Sequence, residues 1–256
     1  MLRRAAILVL VMLSISAPAY AIDHKNLDAG RPTRLDDAYT IAAGEIELET
    51  GLGATVERHG SARGVFPIEL LYGALPNLQL GLGTSFTSDP RSAEGPDKSG
   101  NLRLGALYNF NQETLTLPAF GVRLDVGLPT GINAEGATVR IKGIVTRSIE
   151  RLSLHFNAAY EFVTEPRGNE RSGQYELVLG GSYPVGAPRY TRATIIADVF
   201  TDQGLHRGER NTVGAELGFR YQVTSRWIWD AGVGTEFAGP ADRNRFFFTT
   251  GLSFGF

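Results

Sequence analysis

The sequence contains no cysteine at any of its 256 positions. Disulfide bonds, thiolate metal sites and cysteine nucleophiles are therefore excluded. Beyond residue 21 the chain also lacks an apolar run of the roughly 20 residues that a membrane-spanning helix needs. Its formal net charge of −2 shows no excess of basic residues, so we expect no nucleic-acid partner.

The first 21 residues have the pattern of a secretory signal. Arg3 and Arg4 precede an apolar run from Ala5 to Leu13, and small residues in an A-x-A pattern follow it. The apolar run is too short for a membrane anchor. We therefore expect residues 1–21 to be removed when the protein is exported.

Residues 44–256 show hydrophobicity with a period of two and no convincing helical period. In 211–222, for example, Leu217 and Phe219 alternate with Glu216 and Arg220, so opposite chemistry falls on opposite faces of a strand. Turn residues divide this region into about twelve such segments. These are residues 44–56, 63–73, 78–87, 100–110, 117–128, 137–147, 151–163, 173–183, 191–201, 211–222, 226–237 and 244–256.

Alternation alone does not separate a soluble sandwich from a membrane barrel, but strand length and connection pattern do. Most segments have the length of a tilted membrane strand, about 9–11 residues, and exceed the usual five or six of soluble sheets. Connections after even-numbered segments are mostly shorter than those after odd-numbered ones, as at the two ends of outer-membrane barrels. This favours an all-β, transmembrane, antiparallel up-and-down β-barrel of about twelve strands over residues 44–256.

Aromatic residues also gather near the expected strand ends, as in the interfacial girdles of membrane proteins. One end would hold Tyr72, Tyr108, Phe110, Tyr183, Tyr221, Trp227, Trp229, Phe254 and Phe256, and the other Phe86, Tyr160, Phe162, Phe200, Phe237, Phe246 and Phe248. The closing strand ends in Phe256 and resembles the C-terminal signature that outer-membrane proteins present to the assembly machinery. We expect outer-membrane lipid and that machinery as partners, in a Gram-negative outer membrane.

If the apolar faces contact lipid, the opposite faces line a lumen rich in charge. Its candidate lining includes the acids Glu45, Glu47, Glu49, Glu69, Asp125, Glu161, Glu176, Asp198, Glu216, Asp230 and Glu236, the bases Arg103, Arg123, Arg140, Lys142, Arg192, Arg220 and Arg245, and His155. Two interpretations remain open: a network of ion pairs that closes the barrel, or a narrow polar path. The acidic excess ranks cations and neutral solutes above anions.

Some inward positions are apolar and could contact an apolar solute or could simply pack beside long arginine side chains. They are Phe66, Leu71, Leu107, Ile144, Val178, Ile196, Phe200, Ile228 and Phe247. The polar stretch of residues 22–43, which contains Arg31, Arg34, Asp36 and Asp37, is equally open to several interpretations. It could be a loose periplasmic tail, a segment folded into the barrel mouth, or a partial plug.

No motif in the sequence convincingly indicates a catalytic or metal-binding site. Gly-Leu-Gly at residues 51–53 and 81–83 lies inside strands with no helix after it, and a Gly-x-Ser-x-Gly elbow is absent. His155 faces inward, unlike the outward catalytic histidine of twelve-stranded outer-membrane phospholipases. We expect no enzymatic activity, cofactor or metal.

Three short motifs resemble an outer-membrane transporter family that is named for its association with the meta-cleavage pathway of phenol degradation. They are Arg31-Pro32 followed by residues 33–51, the pair Leu117-Pro118 with Val126 to Gly131, and the closing Gly251 to Phe256. The sequence has Ala43-Gly44 where the family more usually has Pro-Gly. The resemblance implies a channel or transporter, with aromatic or other small apolar compounds as candidate cargo.

From these features we expect passive diffusion of small molecules through a narrow, charged lumen; the solute itself is not identified. The first alternative is a closed structural or adhesive barrel that acts through its outer loops, such as Ser88 to Ser99. A second, weaker alternative is an outer-membrane lipid hydrolase. Conductance of the refolded chain would separate the first two hypotheses.

Overall fold

The computed structural model describes residues 22–27, 30–58, 62–88, 100–131, 136–166, 168–186, 191–241 and 243–256. The expected signal peptide and most of the loop from Ser88 to Ser99 lie outside these ranges. No helix within them is long and apolar enough to cross a bilayer.

The described residues form twelve strands that join into one closed antiparallel barrel. Each strand pairs with its neighbours in the sequence, and the first pairs with the last from Glu47 opposite Gly255 to Glu57 opposite Asn244. The strands are β1 Ile46–Glu57, β2 Ala62–Leu75, β3 Leu78–Ser88, β4 Leu102–Asn109, β5 Ala119–Leu128, β6 Thr138–Ile149, β7 Leu152–Val163, β8 Gly173–Val185, β9 Ala193–Asp202, β10 Thr212–Gln222, β11 Trp227–Ala238 and β12 Asn244–Gly255. The expected fold and strand number are confirmed.

Side chains alternate between a buried and an exposed face along each strand. In β5, Arg123 and Asp125 are buried inside the barrel, whereas Phe120 and Leu124 are 37% and 42% exposed on its outer surface. A barrel that exposes large apolar side chains on its outer face buries them only in lipid. The lumen is correspondingly the polar side of the wall.

Two expectations about aromatic side chains were wrong. Phe66 lies on the outer surface beside Phe86, because Glu69 and Leu71 set the inward parity of β2 and Phe66 has the opposite parity. Phe200 is buried within the lumen and therefore takes no part in a lipid-facing girdle. Trp227 and Trp229 do lie on the outer surface, near the beginning of β11.

The two ends of the barrel differ in their connections. At one end, residues 76–77, 150–151 and 223–226 form short turns, and β1 begins and β12 ends there. We call it the short-turn end; short turns face the periplasm in outer-membrane barrels. The other end, which carries residues 164–172 and 203–211, is the loop end.

Candidate functional site: the occupied lumen

Residues 22–43 are here called the N-terminal segment, and its described residues, 22–27 and 30–43, lie inside the barrel. Most of their side chains are almost inaccessible to solvent, although these described residues form no helix or strand. Those exposed by less than a tenth are Ile22, His24, Leu27, Arg31, Pro32, Thr33, Leu35, Asp36, Asp37, Ala38 and Ile41. The segment therefore fills space that the strands alone leave open.

The N-terminal segment enters and leaves the lumen at the short-turn end. At its start, the Ile22 amide donates to the carbonyl oxygen of Ser225 at 3.0 Å. Midway, Arg34 forms an ion pair with Asp202, the last residue of β9 at the loop end. The chain then returns, and the Gly44 amide donates to the Gly73 carbonyl oxygen at 2.7 Å. The segment is thus a re-entrant loop with Arg34 near its tip.

Arg34 is surrounded by acids from β8, β9, β10 and β11. Its guanidinium lies 3.5 Å from Glu176, 3.3 Å from Glu216 and 3.9 Å from Glu236, in addition to its ion pair with Asp202. We call Glu176, Asp198, Asp202, Glu216 and Glu236 the acidic cage. Burial alone would lower the pKa of Arg34, but these carboxylates outweigh burial and raise it. Arg34 therefore stays charged.

Arg31 makes a second set of ionic contacts nearer the short-turn end. It lies 3.4 Å from Glu49 and 3.5 Å from Asp230, and it donates to the Thr50 carbonyl oxygen at 2.7 Å. Glu49 and Asp230 are both almost fully buried. Buried carboxylates need such compensation, because an unpaired buried charge is strongly destabilising.

On the other side of the lumen, four wall residues neutralise one another. Arg123 lies 3.1 Å from both Glu69 and Asp125, and Arg103 contacts the same two acids. We call Glu69, Arg103, Arg123 and Asp125 the paired quartet. Two bases and two acids therefore balance among these four strand residues.

From Asp36 onwards the N-terminal segment returns towards the short-turn end, and there it bonds to the wall on the quartet's side. Asp36 accepts from Lys142 Nζ at 2.6 Å, and its amide donates to Asn157 at 2.8 Å. Ala38 donates to Thr146 at 3.0 Å and accepts from Asn109 at 2.7 Å. Arg31 and Arg34 of the segment therefore contact acidic side chains of the wall, whereas Asp36 contacts the basic side chain of Lys142.

Apolar contacts anchor the N-terminal segment as well. Leu27 and Leu35 pack in one cluster with Val178, Ile196, Phe200 and Phe247, and Ala38 packs in another with Leu107, Ala119 and Ile144. Most of the inward apolar residues that the sequence suggested as solute contacts thus touch the segment instead. A displaced segment would expose them to the lumen.

Glycines of the wall leave space for the backbone of the N-terminal segment. A Cβ at Gly232 would overlap the Pro32 carbonyl, one at Gly218 would lie 2.6 Å from the Pro32 ring, and one at Gly121 would lie 3.3 Å from the Ala38 carbonyl oxygen. Close packing tolerates no such overlap without movement. These glycines therefore serve the docking of the segment.

Cavities lie on both sides of the N-terminal segment. The larger, about 690 Å³, opens among Tyr39, Ile41 and the short-turn end, and Asp37 lines it. The other, about 320 Å³, lies towards the loop end, and Asp36 and Arg34 line it. Because the adjacent residues Asp36 and Asp37 line different cavities, the segment stands between them.

The sequence of residues 29–256 matches the family described as "Putative MetA-pathway of phenol degradation". The chain belongs to this family. No protein of curated function matches its sequence.

Solved outer-membrane structures share the fold of this family member. A COG4313 outer membrane channel from Pseudomonas putida F1 superimposes with a TM-score of 0.67, at 15% identity, over 86% of this chain and 98% of that one. The beta domain of the Bordetella autotransporter BrkA gives 0.55 at 13% identity, over 83% and 99%. The KdgM porin gives 0.52 at 11% identity, also over 83% and 99%. At such identities the likeness establishes the fold.

In this family member, the candidate lumen residues fall into three groups. The first is buried inside the barrel and contains Glu45, Glu47, Glu49, Glu69, Arg123, Asp125, Lys142, His155, Asp198, Glu216, Arg220, Asp230 and Glu236. Arg103, Arg140, Glu161 and Glu176 form a second group that borders the loop-end cavity. Arg192 and Arg245 are exposed at opposite rims, because one precedes β9 and the other is the second residue of β12.

Several partners of these residues were not predicted from the sequence. Asp202 lies one residue beyond the expected strand segment 191–201. In the structure it is the last residue of β9 and belongs to the acidic cage. Arg31 and Arg34 were noted without an assigned role. One feature of the sequence did indicate that these partners exist: the inward acids outnumber the inward bases. Buried acids require cations, which another part of the chain can supply.

His155 has a serine partner that the sequence did not indicate. Its Nε2 lies 3.1 Å from Ser182 Oγ, and its Nδ1 lies 3.1 Å from Thr146 Oγ1. All three side chains are buried inside the barrel, away from lipid. Since a hydroxyl takes the place of the carboxylate that orients a catalytic histidine, the arrangement differs from a hydrolase triad.

Proposed function

We propose that the protein is an outer-membrane channel for small solutes, and that the N-terminal segment closes it in the conformation seen here. Solutes diffuse passively through the charged lumen when the segment moves aside. The observation that carries this proposal is the position of residues 22–43 between two cavities of the lumen. We also propose export with cleavage after residue 21, which would place Ile22 at the start of the mature segment.

Small aromatic compounds are the proposed cargo. The description of the family associates it with phenol degradation. Displacement of the N-terminal segment would uncover Phe200, Phe247, Val178 and Ile196 along one wall. An apolar strip beside fixed charges suits solutes that combine a ring with a polar group.

Deletion and locking of the N-terminal segment test the proposal in opposite directions. Deleting residues 22–40 removes the obstruction, so single-channel conductance in a planar bilayer should rise several-fold. For the lock, Ala38→Cys is combined with Gly121→Cys, because a Cβ on Gly121 would lie 3.4 Å from that of Ala38, near disulfide geometry. The chain has no other cysteine, so the bond would form between these two positions.

The oxidised lock should hold conductance at its lowest value, and a reductant should raise it. Refolding of every variant is checked by heat-modifiable migration. The proposal fails if the deletion leaves conductance unchanged while the oxidised lock conducts like the reduced one. A barrel that neither variant affects would be closed by its wall, as in the structural or adhesive alternative.

A further inference from the structure

The acidic cage has the composition of a binding site for an organic cation. Four carboxylates pair with one guanidinium, and Phe200 places its ring face 3.7 Å from the guanidinium carbon of Arg34. Phe247 lies 5.8 Å from the same carbon. Carboxylates combined with aromatic faces are the usual means by which proteins recognise guanidinium and ammonium groups.

The cage has more acid than its cations neutralise. Among the residues that the structure describes, its ion pairs come only from Arg34 and, at Glu176, from Arg140. Asp198, only 5% exposed, pairs with Glu216 across β9 and β10 and makes no ion pair in the described ranges. Neither of its carboxylate oxygens accepts a hydrogen bond of normal geometry. The groups that face it are Thr33, Glu216 and Arg34. Because Arg34 already pairs with four other carboxylates, this buried acid indicates a preference for additional positive charge.

The cage is also accessible from the loop end. Arg34, Arg140 and Glu176 line the cavity of about 320 Å³ on that side. Gly30 and Asp36 line the same cavity, so a solute that entered there would meet the tip of the N-terminal segment. Removal of the Arg34 side chain would extend this cavity into the cage.

We propose that the acidic cage binds small organic cations that carry an aromatic ring, and that Arg34 occupies the site as an internal stand-in. The cation takes the place of the guanidinium between the carboxylates, and its ring takes the place of the Arg34 stem beside Phe200 and Phe247. Binding thereby competes with the tip of the N-terminal segment and favours its displacement. This inference rests on the proposed function and specifies its substrate class.

The test measures binding of phenylguanidinium by titration calorimetry to refolded residues 22–256. Phenylurea, which has a similar shape without the charge, is the control ligand. Arg34→Ala removes the competing guanidinium, so it should bind phenylguanidinium at least about tenfold more tightly than the wild type, a difference of about 1.4 kcal/mol. Arg103→Ala is the matched control, since Arg103 also contacts two lumen acids but outside the cage.

Adding Asp198→Asn and Glu216→Gln to Arg34→Ala should abolish the gain. The inference is overturned if Arg34→Ala and Arg103→Ala bind with equal affinity, or if phenylurea binds as well as phenylguanidinium. Arg34→Gln repeats the test with a side chain that retains more of the original volume, in case Arg34→Ala fails to refold. Tight binding without any effect of segment deletion on conductance would retain the site and reject the channel, so the two proposals fail separately.

Discussion

The paired quartet and the acidic cage solve the same electrostatic problem in different ways. Arg103 and Arg123 neutralise Glu69 and Asp125 within the wall. The cage, in contrast, depends on Arg34, which belongs to a segment without regular structure. The quartet therefore has as many bases as acids among its strand residues, whereas the cage receives its central cation from the docked N-terminal segment.

This difference indicates where the protein can change conformation. The quartet's charges are fixed on neighbouring strands. The charge of Arg34 belongs to a separate segment, so it can be withdrawn or replaced by another cation. Withdrawal of Arg34 would leave the acidic cage without the cation that pairs with four of its carboxylates. We therefore expect the open state to prefer cations.

The largest expected effect is a difference in unfolding free energy between a variant of the paired quartet and a variant of Arg34. Arg123→Met removes a buried partner of Glu69 and Asp125, and breaking such a pair costs about 3–5 kcal/mol. Arg34→Met should change barrel stability much less, because the strands pair without it and water can enter the cage. Urea unfolding of both variants, followed by tryptophan fluorescence, checks the difference. Equal losses would show that the N-terminal segment is part of the structural core.

A second prediction concerns the fit between glycine and segment. Gly232→Ala would overlap the Pro32 backbone, and overpacking of this kind costs about 1–3 kcal/mol, here borne by the docked conformation. The readout is maleimide labelling of Ala38→Cys, whose position is fully buried when docked. Labelling should accelerate in Gly232→Ala. Gly143→Ala is the matched control, since its new Cβ would lie 3.9 Å from the Ala158 carbonyl oxygen; similar acceleration there would reject the explanation.

The barrel was predictable from the sequence because strand alternation is a local property. In β10, the order Glu216, Leu217, Gly218, Phe219 and Arg220 fixes which side chains enter the lumen, and the structure follows it. Phe66 was wrongly expected to face inward. Glu69 faces inward, and Phe66 lies three residues before it in the same strand, so alternation places Phe66 on the outer face. Local alternation therefore predicts the wall and the chemistry of its two faces.

The docked N-terminal segment was not predictable in the same way. Arg34 and Glu216 are separated by 182 residues, and no periodic pattern connects them. The contacts of Pro32 with Gly218 and Gly232 likewise depend on the closed barrel. The excess of inward acids indicated unmet charge, but cations from either a solute or a segment of the chain could have met it.

The smallest expected effect comes from His24, near the start of the N-terminal segment. It is bonded to Thr194 at 2.8 Å and to the Thr191 carbonyl oxygen at 3.1 Å, and burial lowers its pKa against the opposing influence of Asp23. The undocked segment therefore binds a proton before the docked one does. Docking should be strongest above pH 6.5, the ordinary histidine value, and should weaken as the pH falls below it.

Maleimide labelling of Ala38→Cys between pH 7.5 and 5.5 measures this dependence. The rate is divided by that of Leu115→Cys, whose position is 96% exposed, so that the pH dependence of thiol reactivity cancels. The ratio should rise modestly towards pH 5.5 in the wild-type background and stay flat in His24→Gln, which keeps a donor near Thr191 but binds no proton. If His24→Gln shows the same rise, the proton acts on the carboxylates around Arg31 and Arg34, and the acidic side of the lumen is itself the pH-sensitive part of the docking surface.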